Sequence, residues 1–122
     1  KSNYGFKTRI MLTEQGFSSH GTDGEIKQAS AIAYAYYKAE FNDMIDSIIF
    51  RCQADHPVEM SRDGLYMGLW TAGMGKQKAA HEVFQYMDTS ECEAHTQICR
   101  QYLGIQDWAE LVPDYNAEYF NW

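Results

Sequence analysis

The feature that most narrows the fold is a strand–helix–strand succession within residues 8–50. Residues 8–14 carry the apolar run Ile10, Met11 and Leu12 and end on a carboxylate, Glu14. Residues 25–40 read as a helix, and Ile45–Phe50 supplies a second apolar run in Ile48, Ile49 and Phe50. A helix of roughly fifteen residues between two short apolar strands is the mark of a βαβ unit, whose crossover makes the strands parallel. Parallel strands are covered on both faces, which suits continuous rather than alternating apolar runs. The chain is therefore read as α/β.

Local signals fill in the remainder. The loop of residues 16–24 holds Gly16, Ser18, Ser19, His20, Gly21 and Gly24. Thr22 with Glu25 three residues on resembles a capping box that starts the first helix. That helix offers Ile26, Ala29, Ala33, Tyr36 and Tyr37 as a face for packing on a sheet, and Phe41-Asn42-Asp43 ends it. After the second strand, residues 51–60 read as a polar loop, and residues 65–70 as a short extended piece folding back beside that strand. A helix is expected over residues 76–87, with Ala80, Val83, Phe84 and Met87 facing the core. A second capping box, Ser90 with Glu93, would open a helix running to Leu103 and stopping at Gly104. A last turn over residues 107–112 ends at Pro113, and an aromatic tail (Tyr115, Tyr119, Phe120, Trp122) follows.

Composition removes several functional classes. With 122 residues and 45% hydrophobic content, one domain with a real core is expected. No apolar stretch approaches the roughly 18 residues that a membrane span requires. The formal net charge of −7, with basic residues scattered, argues against a nucleic-acid backbone as partner. Cys52, Cys92 and Cys99 form no CxxC pair, so reduced, structural thiols are expected and the compartment is not legible. Glu91 and His95 lie four apart, but no second histidine completes a metal-binding pattern, and His81-Glu82 lacks a partner four residues on. No metal and no cofactor are expected. Two or three parallel strands leave both sheet edges open, so the chain is expected to be the end of a longer protein or to pair with copies of itself.

Chemistry concentrates where strands end. In parallel α/β proteins, functional side chains gather where strands give way to the loops that precede helices. Glu14 leaves a buried strand there, held and partly desolvated, which suits a nucleophile or a general acid. The competing reading makes it an ion-pair partner or a cap. Gln15 adjoins it, and Arg51, directly after the second strand, can orient it through a charge-assisted hydrogen bond. His20, Gln53 and His56 can hydrogen-bond a polar substrate from the rim loops, or simply satisfy nearby backbone. Asp55, before His56-Pro57, is a turn former or an acceptor for substrate. Trp70 is a stacking platform for substrate or, the preferred reading, a side chain buried under the last helix.

These residues carry a resemblance. A strand ending in Thr13-Glu14-Gln15-Gly16, a helix, a strand, and then GLW (68–70) followed by GKQKAAHEVFQYM (75–87) resembles the last two βα units of a (β/α)8 TIM-barrel glycoside hydrolase. More narrowly, MLTEQGF (11–17), AYAYYKAE (33–40), ADH (54–56) and IQDWAELVP (105–113) resemble an uncharacterised bacterial family of barrel proteins. The resemblance implies a partial barrel, its last two βα units plus C-terminal helices. It also implies that Glu14 is the nucleophile of a retaining glycoside hydrolase acting on a carbohydrate substrate. The acid/base of that clan comes from a strand outside this chain, so the chain alone is not expected to turn over substrate. The remainder of the barrel, or a homo-oligomer partner, would cover the sheet edges. The alternative is a non-catalytic α/β module that binds glycans or self-assembles through those edges.

Overall fold

A computed structural model describes residues 9–111 of the chain. Strand β1 (Ile10–Gln15) leads through a loop to helix α1 (Gly24–Glu40), and strand β2 (Ile45–Phe50) returns beside β1. Four shorter helices follow: α2 (Pro57–Asp63), α3 (Ala79–Tyr86), α4 (Cys92–His95) and α5 (Gln97–Leu103). Tight 3-10 turns at Ala72–Met74 and Trp108–Leu111 complete the described residues. The expected βαβ unit is present, with β1 and β2 parallel and Ile10 opposite Ile45, Met11 opposite Ser47, Leu12 opposite Ile48 and Gln15 opposite Phe50.

The expected partial TIM barrel is not what forms. Among the described residues the sheet has two strands, and short helices rather than further strand–helix units follow β2. A barrel needs a continuous curved sheet closed edge to edge, and two strands close nothing. Residues 65–70 do fold back in extended form, but beyond the end of β2. Leu69 N donates to Cys52 O at 3.0 Å, Trp70 N to Gln53 O at 3.0 Å and Asp55 N to Trp70 O at 3.0 Å. The segment therefore prolongs the carboxyl edge of the sheet instead of adding a strand beside Ile45–Phe50.

The core lies mainly between helices. Ala29, Ile32, Ala33 and Tyr37 of α1 are buried with Ala80 and Val83 of α3, Met87, Cys99, Trp108 and Leu111. Small residues at 29, 33 and 80 let α1 and α3 approach closely, so α1 packs more extensively on α3 and α5 than on β2. Tyr37 stacks on Trp108 with ring centroids 4.4 Å apart, and its hydroxyl donates to Met87 O at 2.9 Å. Burial raises the Tyr37 phenol well above its ordinary value, which keeps it neutral and a donor.

Both capping boxes give way to other solutions. The residue preceding α1 is Asp23, in the left-handed region at φ 56°, and no side chain caps the helix. A Cβ on Gly24 would lie 1.8 Å from Ser19 O, so the loop and the helix start touch backbone to backbone, which requires glycine there. Glu25 pairs with Lys76 at 2.9 Å instead of reaching back, and that ammonium lowers its carboxyl. The helix expected from Ser90 to Leu103 is two helices broken at Thr96. Thr96 Oγ1 donates to Cys92 O at 2.6 Å and accepts from Arg100 Nη1 at 3.0 Å and Trp108 Nε1 at 3.1 Å. One buried hydroxyl thus joins three segments. The stop at Gly104 is as expected, with a left-handed φ of 72°. The helix expected over residues 76–87 is shorter, since residues 76–78 are not helical. The aromatic tail lies outside the described residues.

Candidate functional site

The parallel pair brings the ends of β1 and β2 together on one edge. Arg51 N donates to Gln15 O at 2.6 Å, so the first residue after β2 is locked to the last residue of β1. From that anchored backbone the Arg51 guanidinium reaches two carboxylates. Nη1 donates to Glu14 Oε1 at 3.3 Å, and Nη2 is paired with Glu59 on α2. The Glu14 side chain is 71% exposed and that of Glu59 only 18%, so Glu59 forms the inner wall and Glu14 the accessible face. The hydrogen bond to Glu59 is the main reason the Arg51 guanidinium is held even more firmly protonated than usual. Arg51 is a permanent cation set between two acids.

Behind this edge sits a closed polar knot. Lys78 and Asp55 are each only 2% exposed at the side chain and pair at 2.7 Å. The Lys78 ammonium also donates to Ser19 Oγ at 2.9 Å and Tyr66 O at 3.2 Å, which uses all three of its hydrogens. Asp55 Oδ1 accepts a further bond from Gly68 N at 2.8 Å. Gln28, fully buried on α1, donates through its amide to Phe17 O at 3.0 Å and Gly68 O at 3.1 Å. Gly68 is obligatory, because a Cβ there would lie 2.2 Å from Asp55 N. The knot ties the loop after β1, the loop after β2, the extended 65–70 segment and the approach to α3 into one rigid rim. A buried charge pair depends on further hydrogen bonds to offset its desolvation, and here Ser19, Tyr66 and Gly68 supply them.

The other residues singled out from the sequence are spread along this rim. Gln15 ends β1 and is held through its carbonyl. The exposed His20 ring stacks on Tyr66, centroids 4.9 Å apart and 19° from parallel. Gln53 is exposed and accepts from Trp70 N through its carbonyl. His56, also exposed, precedes α2 as its cap residue. Asp55 points inward, with Oδ1 taken by Lys78 and Gly68. Trp70 is half-buried, edge-on to His81 at 5.5 Å, and its backbone bridges Ala54 and Gln77. Glu14 and Arg51 are in contact, whereas Trp70 and Asp55 belong to the supporting structure behind them.

Glu59, Lys78 and Gln28 escaped the sequence reading. Glu59 sits on α2, within a stretch read as loop, although Pro57 at its first turn and Gly64 after its last are helix boundary signals. Lys78 and Gln28 are polar residues that prove buried, each followed by an alanine, and that context was the available signal. Among the described residues no group of three or more His, Cys, Asp or Glu is placed to hold a metal ion, and the three cysteines are free. No helix among them is long and apolar enough to cross a membrane.

Fold and site together define a small α/β unit with an acid–arginine–acid array on the carboxyl edge of a parallel strand pair. The chain belongs to the family of unknown function DUF5722, whose model matches residues 1–111. No curated protein and no solved structure matches it. The family description assigns no activity, so it adds nothing to the resemblance to glycoside hydrolases.

Proposed function

We propose that this chain carries the nucleophile of a retaining glycoside hydrolase, and that the nucleophile is Glu14. The supporting observation is the pairing of Glu14 with Arg51: an accessible carboxylate at a strand end, oriented by a fixed cation. In the first half of such a reaction a carboxylate oxygen forms a bond to the anomeric carbon while the bond to the leaving oxygen breaks. Arg51 keeps the attacking group aimed, and His20, Gln15 and Gln53 on the same rim are the groups assigned to sugar hydroxyls. Protonation of the leaving oxygen needs a second carboxyl about 5–5.5 Å from the first. Glu59 is engaged by Arg51 and is not assigned that role.

An activated leaving group removes the need for that acid. On 2,4-dinitrophenyl glycosides the chain is expected to release dinitrophenolate in a burst that depends on Glu14 and is lost in Glu14→Gln. A burst of equal size in Glu14→Gln excludes the assignment.

One observation favours a second reading, a non-catalytic module that assembles through its sheet. Met11 and Ile49, one on each strand, are 62% and 50% exposed, and large apolar side chains on a short sheet are ordinarily covered. Light scattering that gives a single chain at high concentration sinks the assembly form of that reading.

A further inference from the structure

Helix α2 has no buried residue. Its two ends are nevertheless fixed. On one side Asp55 is locked by Lys78 and Gly68 N, and on the other Ser18 Oγ lies 3.4 Å from Gly64 O and accepts from Tyr66 N at 3.1 Å. Between those anchors, the Glu59 side chain of α2 forms an ion pair with Arg51. The other recorded side-chain bonds of α2 stay within it, Ser61 to Val58 O and Arg62 to Asp63. An amphipathic helix buries an apolar face, whereas α2 turns the half-buried Glu59 to the guanidinium.

Arg51 presents two terminal nitrogens, and the two acids divide them. Glu59 is largely shielded and takes Nη2, while Glu14 is open to solvent and takes Nη1 at the longer distance of 3.3 Å. A guanidinium is planar, so fixing one edge fixes where the other edge points. We propose that Glu59 is a positioning residue for Glu14: it holds Arg51 so that Nη1 stays aimed at the Glu14 carboxylate. The proposal rests on the reading of Glu14 as nucleophile and adds to it the element that sets its geometry. Glu59 touches no reacting atom; its effect reaches Glu14 through Arg51 alone. Helix α2 is then a bracket for a side chain rather than part of the core.

The test pairs two measurements on the chain and its Glu59→Gln and Glu59→Asp variants. Arginine side-chain nitrogen spectra report whether the Arg51 guanidinium is locked. In the parent chain its Nη signals are expected to be resolved, and in Glu59→Gln they should average by free rotation while those of Arg100 stay unchanged. The burst from dinitrophenyl glycosides should then slow by at least about tenfold at saturating sugar, since a small misplacement of a reacting group costs up to about a hundredfold. The half-saturating concentration should hold within about twofold. Unchanged amide protection in α1 and α3 shows that the variant is folded, and Glu59→Asp, which keeps the charge, should recover part of the rate. A burst that survives Glu59→Gln at full rate, or Arg51 signals that stay resolved in that variant, overturns the proposal alone. Absence of a burst in the parent chain overturns the nucleophile reading and the proposal together.

Discussion

At the scale of single residues, the rim is governed by two charge arrangements with opposite exposure. Lys78 and Asp55 are dry and hydrogen-bonded to the rim, so breaking the pair is costly. Lys78→Met leaves Asp55 charged and unpaired in the interior and is expected to cost about 3–5 kcal/mol in urea unfolding. Adding Asp55→Leu should return part of that loss, because removing both charges removes the desolvation penalty as well. A double variant that remains less stable than the parent chain would show the pair to be a net source of stability. The Arg51 array faces water, and exposed ion pairs contribute little to stability. Glu14→Gln should therefore move the unfolding midpoint hardly at all. Glu14 and Arg51 were legible in the sequence because each stands within two residues of an apolar run. Glu59 and Lys78 were not, because their partners lie 8 and 23 positions away and meet them only after the loops close.

At the scale of elements, the sequence announced most helices and misjudged their ends. Periodicity in residues 25–40 and the glycine at 104 located α1 and the end of α5, since burial of one face and a left-handed stop are local properties. The break at Thr96 was hidden, because it arises from Trp108 and Arg100 converging on a single hydroxyl. Thr96→Val keeps the shape and removes that hub, and is expected to cost about 1–3 kcal/mol for the donors left unmet, read by thermal unfolding. Helices α3 and α4 are joined by His95, which contacts Glu82 at 2.6 Å and Glu91 at 3.4 Å and stacks on Tyr86 with centroids 3.7 Å apart. The hydrogen bond to Glu82, ahead of that to Glu91, raises the imidazole above its ordinary value of 6.5. A raised value in the folded state means that stabilisation is complete below that ordinary value and is lost as pH climbs through the raised one. The difference in melting temperature between the parent chain and His95→Gln should accordingly shrink from pH 6 to pH 9. A difference that grows over that interval contradicts the coupling.

At the scale of the whole molecule, the parallel pair was readable and the closed barrel was not there to be read. Two apolar runs flanking a helix dictate parallel strands, but nothing local dictates how many further strands join them. Here α1 directs its small-residue face to α3 and α5, and residues 65–70 extend the rim, so the layers are chiefly helix on helix beside a narrow sheet. That architecture leaves Met11 and Ile49 open to water. If copies associate through this sheet, Ile49→Lys should lower the apparent mass at high concentration to that of one chain, without changing the helical circular dichroism. The same edge carries Glu14, and there the chemistry is decided. The most direct measurement is peptide mapping by mass spectrometry after incubation with a panel of 2-deoxy-2-fluoroglycosyl fluorides, whose fluoride departs with its electron pair as the carboxylate bonds to the anomeric carbon. A sugar carried on the peptide holding Glu14, and absent from Glu14→Gln, is the predicted result; a panel that leaves Glu14 unmodified, or labels another carboxylate in its place, would contradict it.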